Sequence, residues 1–124
     1  MRPAITKQEV QLLQQTNASV KMVDIRAIEE YEKQHIPRVM NIPAEHLNDN
    51  LIVFDREDII VCICTHGKER SQQAAELLYH QGFKNTFYLL GGTAGWLNQE
   101  TPLAKASTDI SLLHLEAAMN NREN

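Results

Sequence analysis

Cysteine is scarce in this chain, with two residues among 124, Cys62 and Cys64, and a single residue between them. Such a pair on one predicted strand cannot frame a disulfide network, and with no Cys or His elsewhere at ligand spacing no metal is implied. Positive charge is in deficit as well: 12 Lys and Arg stand against 16 Asp and Glu, a formal net charge of -4. That balance gives no general attraction to nucleic acid or to an anionic membrane, and no block of like charges makes a tail for either. The start of the chain lacks the apolar core of a signal peptide, so the expected compartment is cytoplasmic. Internal repeats and low-complexity segments are absent too. What remains is globular: 43% apolar and 23% charged residues, in a length that buries one domain core.

The chain is organised around Cys64-Thr65-His66-Gly67-Lys68-Glu69-Arg70-Ser71. Before it runs the unbroken apolar stretch Ile59 to Ile63; after it Ala74, Leu77 and Leu78 fall on one helical face. This reads as a buried strand, a tight loop and an amphipathic helix, which puts the loop at a strand's carboxyl end, where open α/β sheets bind ligands. A lone cysteine is more often an inert core residue, but this setting makes Cys64 a candidate nucleophile. A free thiol, with a pKa of about 8.5, is mostly protonated at neutral pH; a helix N-terminus and cationic neighbours lower that value. Loop amides, Lys68 and Arg70 can supply the field, and Glu69 opposes it.

Elsewhere the chain punctuates itself. Thr6-x-x-Glu9 is a capping-box pattern for a short surface helix to Gln15 with Val10 and Leu13 on one face. Val20 to Ile25 reads as the first strand, and Asp24 as a cap for a helix from about Ile28 to Gln34. His35-Ile36-Pro37 ends that helix, with His35 a structural hydrogen-bonding residue. Met40 to Ile42 is a short strand, Ala44 to Leu47 a helical turn, and Leu51 to Phe54 an apolar segment expected to pack on the sheet. Arg56-Glu57-Asp58 is expected to be a solvated lead-in to the central strand. Gly82 caps the loop helix, Thr86 to Leu90 is a further strand, Gly91-Gly92 a tight turn, and Trp96 a core anchor. Beyond Thr101-Pro102, Asp109 is the expected N-cap of a helix from Ile110 to about Met119 with an apolar stripe at Leu112, Leu115 and Met119. Docking of that stripe on its own domain and a homodimer contact are its two readings. The domain proper is 1–105, with a helical extension over 106–124.

Cys64, Gly67, Arg70 and Ser71, followed by Ala74, Ala75 and Leu78, resemble the active-site loop of the rhodanese-like sulfurtransferases. Three more stretches agree in the family's order: Val23-Asp24-Ile25-Arg26 with Glu30-Tyr31; His35-Ile36-Pro37 with Asn41-Ile42-Pro43; and Gly91-Gly92-Thr93-Ala94-Gly95-Trp96. The resemblance implies a three-layer α/β fold, a mainly parallel sheet with helices on both faces. It implies sulfur transfer from a donor such as thiosulfate, through a Cys64 persulfide cradled by the amides of Thr65 to Ser71, to a thiol or cyanide. It also sets Asp24 and Arg26 beside the loop, to orient it or to meet an anionic substrate. The expected partners are small molecules, a sulfur donor and a thiol acceptor, with no cofactor, nucleic acid or membrane.

The sequence departs from the family in two places. Five residues separate Cys64 from Arg70 where the usual loop has four, and Arg38-Val39 stands where Gly-Ala usually follows His-Ile-Pro. The Cys-x5-Arg spacing also resembles protein tyrosine phosphatases and the rhodanese-fold phosphatases and arsenate reductases, whose wider ring of amides suits a tetrahedral oxyanion. Ile63 replaces the His those phosphatases carry before the cysteine, and Glu69 is the one proton donor in the loop, so a phosphatase or arsenate reductase is the second reading. A binding module that senses a persulfide without turnover is the third.

Overall fold

A computed structural model describes residues 2–98. The expected extension over 106–124, with Asp109 and the stripe at Leu112, Leu115 and Met119, lies outside the described residues. Five strands form one sheet: β1 (Ala4–Ile5), β2 (Val20–Asp24), β3 (Met40–Asn41), β4 (Ile59–Ile63) and β5 (Thr86–Leu89). Their order is β1-β5-β4-β2-β3, and every pairing is parallel. The helices are α1 (Lys7–Gln14), α2 (Ile28–Lys33), α3 (Glu69–His80) and α4 (Gly92–Asn98), with two 3-10 segments at Ala44–His46 and Asn48–Val53.

The apolar run of β4 is unbroken because the strand is covered on both faces. Ile59, Val61 and Ile63 enter one core with Val10 and Leu13 of α1, against which Trp96 packs. Ile60 and Cys62 enter the other with Ala74, Ala75 and Leu78 of α3, together with Leu47, Phe54 and Phe83. These are the three layers the resemblance implies. No helix among the described residues is long and apolar enough to cross a membrane.

Thr6 caps α1 as expected, its hydroxyl accepting the Glu9 amide at 3.1 Å while the Glu9 carboxylate accepts the Thr6 amide at 2.8 Å. The preceding strand β1 carries no sequence signal, since two residues are too few to show a period; it pairs Ala4 with Tyr88 and Ile5 with Leu89 at the sheet edge. Past Gln81, which caps α3, Gly82 and Phe83 donate to Tyr79 and Leu78 in a Schellman closure, and Gly82 takes φ 102.

Three expectations need correction. Asp24 caps no helix: α2 starts from Ala27 without a side-chain cap. The segment Leu51 to Phe54 does not lie on the sheet as a unit. Its first three residues end a 3-10 helix, whose near three-residue turn points successive side chains in different directions. Phe54 is buried and Leu51 packs beside it, but Ile52 is 94% exposed. Asp58 is not solvated but buried; it accepts from Ser19 Oγ at 2.8 Å and the Asp55 amide at 2.7 Å, with Lys21 Nζ 3.0 Å away. The turn into β4 closes around its carboxylate.

At the departure Arg38-Val39, Arg38 adopts φ 68, the one non-glycine residue in the left-handed region among the described residues. The backbone keeps the turn that glycine ordinarily serves, so β3 still follows at Met40. His35 plays its expected structural part, with Nδ1 2.8 Å from the Tyr31 carbonyl and its ring stacked on Tyr31 at 3.9 Å.

Candidate active site

Strand β4 ends at Ile63, so Cys64 stands at the carboxyl edge of the central strand, and α3 begins five residues later. Between them the loop folds back over the cysteine. Gly67 makes this possible, with φ 71 and a backbone so close to β5 that a Cβ there would strike the Leu89 carbonyl and lie 2.7 Å from the Gly91 amide nitrogen. From the other side the start of α4 grips the loop: the Thr93 amide donates to the Cys64 carbonyl at 2.9 Å and the Ala94 amide to that of Thr65 at 3.0 Å. Gly92 permits that approach, because a Cβ on it would meet the same two carbonyls. The Gly91-Gly92 turn is therefore a clamp on the loop, a role its sequence signal did not specify.

The loop encloses the sulfur. Cys64 is 3% exposed and Cys62 0%, so exposure alone separates the two thiols little. Acidity separates them. Burial drives the Cys62 thiol far up, and the charge of Cys64 adds to the effect. Burial pushes Cys64 up as well, but hydrogen bonds from Ser71 Oγ and the amides of Lys68, Ser71 and Gly67 together outweigh it and hold the thiol below its ordinary value. Ser71 Oγ lies 3.1 Å from Cys64 Sγ and 3.1 Å from the Lys68 carbonyl. A hydroxyl has one proton, so it donates to the carbonyl while accepting from the thiol, and rotates to donate to a thiolate.

The anticipated help from the loop's cations takes a different form. Arg70 points to α2, its guanidinium 3.2 and 3.4 Å from the Glu30 carboxylate and 3.1 Å from Thr65 Oγ1. His66, Lys68 and Glu69 are exposed. Arg26 is the buried cation of the site. It makes a bidentate pair with Asp24, Nη2 to Oδ2 at 2.8 Å and Nε to Oδ1 at 3.0 Å, and donates to the Gln34 carbonyl at 2.7 Å. Those bonds to Asp24 raise its pKa against the opposing effect of burial, and the negative charges of Glu30 and Cys64 act in the same direction.

Register explains why Arg26 arrives there. Asp24 pairs with Ile63, the residue before the cysteine, and the Ile25 amide donates to the Ile63 carbonyl at 2.9 Å. Asn41 braces the same strand end, its amide donating to the carbonyls of Asp24 at 2.9 Å and Arg26 at 3.0 Å. The structure thus brings together Cys64, the loop to Ser71, Asp24 and Arg26. It adds Glu30, whose only sequence signal was its place in the Glu30-Tyr31 stretch. Among the described residues no group of three or more His, Cys, Asp or Glu could hold a metal ion.

Several known proteins are similar to this chain in sequence and in fold. The chain is 37% identical over 81 residues to the putative sulfur carrier protein YrkF of Bacillus subtilis, a match that takes in 65% of this chain and 43% of that longer protein. It is 38% identical over 87 residues to the thiosulfate sulfurtransferase GlpE of Shewanella oneidensis, covering 69% of this chain and 85% of GlpE. A rhodanese-like domain protein of Staphylococcus aureus superposes with a TM-score of 0.67 at 30% identity, over 76% of this chain and 90% of that one. The family profile described as Rhodanese-like domain matches residues 6–99, and the chain belongs to that family.

Proposed function

We propose that the protein transfers sulfane sulfur through a persulfide on Cys64. One observation carries the reading: a cysteine at the end of the central parallel strand lies buried under the loop to Ser71, with Ser71 Oγ 3.1 Å from its sulfur; bonds from that hydroxyl and from the loop amides favour its thiolate. The thiolate attacks the outer sulfur of a donor such as thiosulfate. The donor's S–S bond breaks, sulfite leaves with the electron pair, and a Cys64–S–S⁻ persulfide remains. The loop amides then face the terminal sulfur, which carries the negative charge. A thiol or cyanide acceptor attacks that sulfur, takes it as a persulfide or thiocyanate, and returns the thiolate.

Sulfite is a good leaving group and needs no general acid, which suits a loop whose one acid, Glu69, is exposed at the start of α3. Arg26 is a positioning residue: its charge, fixed by Asp24, favours the anionic forms of Cys64. The names of GlpE, a thiosulfate sulfurtransferase, and YrkF, a putative sulfur carrier, support the same reading.

The Cys-x5-Arg spacing favours phosphate or arsenate chemistry as the second reading. Against it, Arg70, the residue that would hold the oxyanion, is engaged with Glu30. The test is thiocyanate formation from cyanide with thiosulfate or an organic persulfide, run beside hydrolysis of an aryl phosphate. Turnover with a sulfur donor that is lost in Cys64→Ser is expected. Aryl phosphate hydrolysis that depends on Cys64 and Arg70 and exceeds sulfur turnover would replace this reading with the second.

A further inference from the structure

The cations around Cys64 are matched by carboxylates: Arg26, Lys68 and Arg70 stand against Asp24, Glu30 and Glu69. Arg26 is committed to Asp24 in a buried pair. Arg70, the one loop cation able to fork a tetrahedral anion, is held by Glu30 from α2 and by Thr65 Oγ1 from the loop. Bidentate recognition of an oxyanion would use the donors that Glu30 now occupies. Both partners are partly exposed, 50% for Arg70 and 41% for Glu30, so the pair is breakable but must be broken first.

Resting on the sulfurtransferase reading, we propose that Glu30 is a specificity-determining residue. As an internal competitor for Arg70 it weakens dianionic ligands such as thiosulfate and sulfate, and leaves the site selective for donors of low charge, the persulfides of organic thiols. With such a donor, R–S–SH, the Cys64 thiolate attacks the outer sulfur and the S–S bond breaks. R–S⁻ leaves with the electron pair, and the outer sulfur with its proton remains as Cys64–S–SH. No oxyanion is formed or released, so Arg70 is not required to leave Glu30.

The test is protection of Cys64 from alkylation by sulfate in the full chain, compared among wild type, Glu30→Gln and Glu29→Gln. The last removes the same charge from the neighbouring position of α2, where no bond to Arg70 is made. In Glu30→Gln the half-protecting sulfate concentration should fall by about two- to five-fold, the worth of an exposed ion pair. The KM for thiosulfate should fall in parallel, and by more than the KM for an organic persulfide. Glu29→Gln should shift sulfate protection by much less, and adding Arg70→Gln to Glu30→Gln should abolish the gain. Equal shifts in the two Gln variants, or a gain that survives loss of Arg70, would overturn the competitor role. Because protection is read without turnover, this result stands apart from failure of every donor to yield a Cys64 persulfide, which would remove the sulfurtransferase reading itself.

Discussion

In the proposed reaction Cys64 and Ser71 carry the chemistry between them. Replacing Ser71 with Ala removes one donor to the thiolate. Hydrogen bonds to charged groups are worth about 1.5–3 kcal/mol, and one pH unit corresponds to about 1.4 kcal/mol. The midpoint of the alkylation-rate profile of Cys64 should therefore move up by about one pH unit or more in Ser71→Ala, with the plateau rate at high pH retained. An unchanged midpoint would mean that the amides alone set the acidity. At pH 7 Cys64 should also be labelled far faster than Cys62, whose thiol burial keeps protonated. Equal labelling of the folded protein would count against the assignment. This contrast was legible in the sequence only by half: the strand placed Cys62 inside and Cys64 at its end, but not the loop's closure over Cys64. Nor could spacing show Arg70 turning to Glu30, since that contact joins residues far apart in the chain.

At the scale of elements, Arg38 offers a direct trial of local strain. A left-handed backbone costs a non-glycine residue about 1–2 kcal/mol, partly offset in a glycine variant by the freer unfolded chain. Arg38→Gly should stabilise the fold by about 0.5–1 kcal/mol in urea unfolding; a loss of stability would mean that the Arg38 side chain contributes packing that outweighs the strain.

The turn into β4 rests on Asp58, whose pKa burial raises but whose bonds from the Asp55 amide, Lys21 and Ser19 lower on balance. A carboxyl depressed in the folded state stabilises above its unfolded pKa, about 3.9, and loses that contribution as pH falls through the lower folded value. Asp58→Asn should therefore be less stable than wild type at pH 7 by about 1–3 kcal/mol, and the gap should narrow as pH drops from 5 towards 2. A gap independent of pH would assign the effect to shape instead of charge. Capping at Thr6 and Gly82 could be read directly because both are short-range patterns. The burial of Asp58 could not, because its side-chain partners, Lys21 in β2 and Ser19 just before that strand, lie far away along the chain.

For the whole molecule, the parallel sheet and its two packed faces follow from features the sequence displays plainly: a fully apolar central strand, and flanking segments of helical period. The edge strand β1 was invisible, since its pairing with β5 joins opposite ends of the described chain. Cys64, the loop to Ser71, Asp24 and Arg26 all lie within residues 2–98. Truncation after Lys105 should therefore leave persulfide formation per folded molecule intact, whatever it does to the melting temperature. Loss of the reaction in a folded truncated protein would assign residues beyond 105 to the site.

Passage of sulfur through Cys64 can be read by peptide-resolved mass spectrometry of the protein after exposure to an organic persulfide, with alkylation to trap the product. A gain of one sulfur is expected on the peptide at Cys64 in wild type and in Cys62→Ala, with no gain in Cys64→Ser and removal of the added sulfur by cyanide. A folded wild-type protein that gains no sulfur at Cys64, or that gains it at Cys62, would contradict that route.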